Sequence, residues 1–119
     1  MSAVVVAAAR AWIGTPYLHQ GSSRGVGTDC LGLLRGLWRE LVGPEPVGVP
    51  PYTPDWAEVG GREVLGEAAL AWLVPVTVPG PGDVLLFRMR TGGIAKHLGI
   101  AARTGREASF IHAYSGHGV

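Results

Sequence analysis

Gly27-Thr28-Asp29-Cys30-Leu31-Gly32-Leu33-Leu34 contains the only cysteine of the chain and marks the point where an irregular approach turns into a helix. A lone thiol cannot close a disulfide within the molecule. Upstream, the stretch from Gly14 to Gly27 is interrupted by Pro16 and several glycines and reads as loop. Downstream, Cys30, Leu33, Leu34, Leu37 and Leu41 follow the i, i+3, i+4, i+7, i+11 rhythm of one helical face. Thr28 or Asp29 supplies the N-cap and Gly43-Pro44 the stop.

A side chain in the first turn of a helix meets unpaired backbone N–H groups and the positive end of the helix dipole. Both favour a thiolate, the nucleophilic form of cysteine, so a depressed thiol pKa is expected at Cys30. The same N–H groups suit the oxyanion that develops in acyl transfer. Packing is the competing account, because free cysteine is among the most buried residue types and Cys30 lies on the apolar face.

The chain of 119 residues fits one domain and can bury a core without disulfides or metals. A net charge of +1 with mixed signs forms no basic stripe, which argues against nucleic acid or an anionic membrane surface as partner. The nineteen glycines and nine prolines point to a loop-rich fold. No apolar run reaches the roughly 20 residues of a spanning helix, and the opening Met1–Arg10 lacks the basic start of a signal peptide. One cysteine leaves localisation unknown.

Residues 2 to 13 are predicted as the first helix, with Val5, Ala8, Ala9 and Trp12 on one face, ended by Gly14 and Pro16. The second runs from about Asp29 to Leu41; its internal Gly32 and Gly36 imply an element packed close against that side. A proline-rich loop from Gly43 to Pro54 precedes a third helix from Trp56 to Leu73. Thr53-Pro54 would cap that helix, Gly60-Gly61 would weaken it, and Val64, Leu65, Ala68, Ala71 and Trp72 would form its buried stripe. The pattern then changes to β-rich runs at Asp83–Met89, His97–Ala102 and Ser109–Tyr114, separated by Gly92-Gly93 and Thr104-Gly105. Helices followed by an antiparallel meander make an α+β fold.

Two of the four histidines fall on these strands, and antiparallel neighbours can bring His97 and His112 side by side. If both face the layer of helices, they face Cys30 and complete a nucleophile, a base and a group orienting the base. His97 would take the thiol proton and later protonate the leaving amine, while His112 would hold the His97 ring in its productive tautomer.

Gly14-Thr-Pro-Tyr17, Asp29-Cys30-x-Gly32-Leu33, Pro81-Gly82-Asp83-Val-Leu-Leu-Phe87, His97-Leu-Gly-Ile100 and Ile111-His112-Ala113 together resemble, in order, the motifs of the NlpC-type cell-wall cysteine peptidases. The resemblance implies a reduced papain-like fold, with N-terminal helices packed on a C-terminal antiparallel sheet across residues 1 to 119. It implies Cys30 as nucleophile, His97 as base and His112 as third member, with no cofactor or metal. It implies Tyr17 beside the nucleophile, where its hydroxyl assists the oxyanion or contacts substrate; Gln20 would serve as a papain-like oxyanion donor or else stay in an exposed loop, and Asp29 would border the substrate but reads first as a helix cap. The implied substrate is the peptide stem of peptidoglycan, typically the bond from D-glutamate to a diamino acid. Gly-Thr-Asp-Cys-Leu-Gly-Leu with the following Arg-Gly-Leu-Trp-Arg-Glu-Leu looks most like members carried with phage tails and gene-transfer particles, whose proteins would then be partners.

Two departures stand out. Leu31 replaces the serine that often follows the cysteine. Val119 comes soon after His112, where the family usually has further strands, so an uncovered edge that pairs with another chain is expected. His19 shares the loop of Gln20, Asp83 fixes a turn, and His117 sits in a tail expected to be disordered. Trp12, Trp38, Trp56 and Trp72 are expected in core or groove. Two other readings remain: a catalytically silent tail module, and a zinc site formed by Cys30, His97 and His112, which lacks the usual local ligand spacing.

Overall fold

The computed structural model describes residues 2–46, 52 and 63–119. The expected loop from Gly43 to Pro54 and the first part of the third helix, with Thr53-Pro54, Trp56 and Gly60-Gly61, lie largely outside them. The elements run α1 (Ser2–Arg10), β1 (Ser22–Ser23), β2 (Gly27–Thr28), α2 (Cys30–Leu41), α3 (Val64–Trp72), β3 (Val84–Arg88), β4 (Ala95–Arg103) and β5 (Ser109–Ile111). β3, β4 and β5 form an antiparallel sheet in that order, confirming the α+β arrangement. Among the described residues no helix is long and apolar enough to cross a membrane.

The approach to Cys30 is more ordered than its glycines suggest. β1 and β2 form a miniature hairpin, turned through Gly25 in the left-handed region at φ 79. Pro16 and Leu18 bond the backbone of Thr28 on either side of Tyr17, which lays that tyrosine next to the start of α2. Cα-spaced turns of this kind are invisible to hydrophobic periodicity because they hold no apolar face.

α2 is the central element. On one side Leu33 and Leu37 pack with Ala9 and Trp12 from the α1 region and with Ile100 and Ile111 of the sheet; on the other, Cys30 joins Leu65, Ile94 and Leu98. Gly32 and Gly36 explain how the neighbours come so close. A Cβ on Gly32 would lie 1.7 Å from the Gly21 carbonyl oxygen, and one on Gly36 would lie 2.2 Å from the Trp12 ring. Both helical glycines therefore hold the place that sequence reading assigned to them.

α3 departs from expectation. Leu65 alone of its stripe is buried, Val64 is half-buried, and Ala68, Ala71 and Trp72 are exposed, Trp72 at 48%. The helix is apolar nearly all round, so periodicity selects no face, and only its first turn reaches the core around Cys30 and Leu98. The C-terminal segment departs in the opposite sense. Val119 donates to the Thr15 carbonyl and accepts from Gly14 N–H, each at 3.0 Å, and Gly118 is buried. The ring of His117 stacks on Tyr114, so the segment is docked and not a loose tail.

Candidate active site

Asp29 is the organising side chain. It is 2% exposed, and Oδ1 accepts the Gly32 N–H at 2.7 Å, the N-cap bond of α2. Oδ2 accepts the Gln20 N–H at 2.7 Å and the Tyr52 hydroxyl. The carboxylate thus ties the approach loop, Tyr52 and the helix start into one unit and places Cys30 at the first helical position.

Cys30 is 7% exposed yet lines a pocket of about 240 Å³ together with Tyr17, His19, Asp29, Lys96 and His97. Beside the sulfur stand the backbone N–H groups of Leu98, Leu31 and Cys30. These lower the thiol pKa, as the helix start leads one to expect, but burial outweighs them and Asp29 adds to it, so the thiol is pushed up to about 11. The expected depression is reversed. The start of α2 does place N–H groups beside the sulfur, but Cys30 packs with Leu65 and Leu98 and reaches its pocket from a largely desolvated position.

His97 and His112 meet as predicted, with His97 Nε2 2.7 Å from His112 Nδ1. The rings do not lie on the face turned to the helices. Leu98, Ile100 and Ile111 occupy that face, and alternation puts His97 and His112 on the other, among Phe87, Phe110 and Tyr114. Cys30 and His97 nevertheless line one pocket. Burial, followed by the neighbouring His112, brings the His97 imidazole down to about 4; burial and His117 lower that of His112. Both rings are therefore neutral near pH 7.

Gly99 makes the imidazole pair possible. Continuing the β4–β5 register past Ile100–Ile111 sets His112 across from Gly99, and a Cβ there would come within 3.3 Å of His112 Cβ and 3.0 Å of the Phe110 ring. With no side chain at that position, His112 can lean two residues along the strand to His97. The motif His97-Leu-Gly-Ile100 contains this glycine, yet no feature of the sequence alone ties it to a ring from another strand.

Tyr17 reaches the pocket, where burial, then Asp29 and Cys30, raise its phenol pKa. Gln20 does not line it. Its backbone is left-handed at φ 63 and its side-chain amide donates to the Tyr52 carbonyl at 2.8 Å. His19 lines the pocket instead, Nε2 lying 2.9 Å from the same carbonyl; among the described residues its buried Nδ1 has no hydrogen-bond partner and lies 3.7 Å from Asp29 Oδ2. Sequence reading missed Lys96, Met89 and Tyr114 in the lining, and Tyr52 on Asp29. Among the described residues no group of three His, Cys, Asp or Glu side chains is disposed to hold a metal. His97 Nε2 and His112 Nδ1 face each other.

Helices carrying a buried N-terminal cysteine against an antiparallel sheet carrying paired histidines define a small papain-like α+β fold. Among solved structures, the chain is similar to the NlpC/p60 domain of the peptidoglycan hydrolase SagA, with 27% identity and a TM-score of 0.59 over 97% of this chain and 81% of that one. No protein-family model and no curated protein matches the chain.

Proposed function

We propose that the chain is a cysteine peptidase that hydrolyses an amide bond in the peptide stem of bacterial peptidoglycan, through Cys30, His97 and His112. The reading rests above all on one observation: the sole thiol lines the same pocket as an imidazole whose Nε2 lies 2.7 Å from a second imidazole. Its likeness to a peptidoglycan hydrolase domain, named above, supports the substrate class. The D-glutamyl to diamino acid bond and carriage in a phage-tail or gene-transfer particle belong to the same proposal, on the sequence motifs around Cys30 and Arg35.

Nε2 of His97 is engaged by His112, which leaves Nδ1 to serve the sulfur. In the resting site thiol and imidazole are both neutral. As the sulfur attacks the scissile carbonyl, Nδ1 takes the thiol proton, and the imidazolium formed donates from Nε2 to His112 Nδ1. The Cys30 N–H at the start of α2 and the Tyr17 hydroxyl stabilise the oxyanion. Collapse of the tetrahedral intermediate breaks the C–N bond, and the imidazolium returns its proton to the leaving amine. Water, deprotonated by His97, then hydrolyses the thioester.

Digestion of purified peptidoglycan with mass-spectrometric identification of the fragments tests the proposal. Cleavage within the stem is expected, falling at least about a thousandfold in Cys30→Ala and in His97→Ala with the fold intact by circular dichroism. Full activity in Cys30→Ala rejects the mechanism.

A further inference from the structure

β4 carries one residue more than its partner strand can match. Phe87 pairs with His97 and Arg88 with Ala95, so Lys96 has no opposite number on β3. In a regular strand, successive side chains point to opposite faces; an extra residue interrupts that alternation and re-aims a side chain. Here two consecutive residues, Lys96 and His97, both line the pocket that holds Cys30.

The charge pattern of the pocket gives this irregularity a chemical meaning. Among the described residues that line it, the one carboxylate, Asp29, has both oxygens committed to Gly32, Gln20 and Tyr52. The Lys96 ammonium has three donors, enough to keep a contact within the protein and still accept an anion from outside. An amide made through the side-chain carboxyl of glutamate leaves the α-carboxylate of that residue near the scissile bond, within reach of a cation beside the base.

The geometry points to Lys96 as the residue that selects substrates bearing a carboxylate close to the scissile amide. The identity of that substrate rests on the peptidase reading; the anion preference of the pocket does not.

Two measurements on the whole chain separate these claims. In the first, Cys30 is alkylated with iodoacetate and with iodoacetamide at one pH, so that the thiolate fraction cancels in the ratio of rates. The iodoacetate to iodoacetamide ratio is expected to fall about three- to fivefold in Lys96→Met and to persist in Lys96→Arg, a single partly exposed charge contact being worth about that factor. An unchanged ratio in both Lys96→Met and the isosterically milder Lys96→Gln overturns the inference. In the second, hydrolysis is compared for paired stem peptides carrying a glutamyl α-carboxylate or its carboxamide. Wild type is expected to prefer the carboxylate through KM, and Lys96→Met to lose that preference. Cleavage with the preference intact in Lys96→Met rejects the role of Lys96 and leaves the peptidase reading standing. A lowered alkylation ratio without cleavage of either peptide supports the anion site and rejects the peptidase reading.

Discussion

Cys30 is placed between two opposing influences, and their magnitudes decide its chemistry. Three backbone N–H groups favour the thiolate, but the apolar contact of Leu65 and Leu98 and the nearby Asp29 favour the thiol more strongly. A thiol that titrates near 11 is largely protonated at neutral pH, so iodoacetamide labelling of Cys30 should climb steadily from pH 7 to 10. A rate already flat across that range would show a preformed thiolate. Catalysis needs His97 neutral, and its pKa is lowered to about 4. Activity is therefore expected to hold from mildly acidic pH upward and to fall only as pH drops through about 4, which a profile of kcat/KM checks directly.

α2 shows how a single carboxylate couples an element to its surroundings. Asp29 caps the helix through Gly32 and also holds Gln20 N–H and the Tyr52 hydroxyl, so its loss strands several donors in a buried position. Loss of an N-cap costs about 1 kcal/mol and an orphaned buried donor adds about 1–3 kcal/mol. Asp29→Ala is therefore expected to destabilise the fold by about 2–4 kcal/mol in urea denaturation, and a loss under 0.5 kcal/mol would reduce Asp29 to a bystander. The cap is legible in the sequence because Asp before an apolar-periodic run is a local signal. Its bonds to Gln20 and Tyr52 span 9 and 23 residues, and no local pattern encodes them.

At the scale of the molecule, the segment after His112 folds back on the α1 end of the chain. Gly118 holds φ +74 with the Thr15 carbonyl oxygen 2.5 Å from where a Cβ would stand, while Val119 packs against the core. That contact anchors the turn carrying Tyr114, whose ring lies against His112, and His117, whose ring stacks on Tyr114. Gly118→Ala combines backbone strain with a clash, and a cost of about 1–3 kcal/mol is expected. A drop in thermal midpoint together with lower activity would bear this out; unchanged values for both would show that the docking does not support the site.

The amino-acid sequence alone determined the order of the helices and of the meander strands, the helix start at Cys30 and the pairing of His97 with His112. All of these rest on local periodicity, capping residues and neighbouring strands, which act over a few residues or across one turn. Tertiary structure alone decided which face the imidazoles occupy, that burial outweighs the helix start at the thiol, that α3 leaves Trp72 exposed, and that Gly99 and Lys96 shape the pocket. Each of these depends on what a distant segment brings alongside: a desolvating neighbour, a ring needing room, or a register that leaves one residue unmatched.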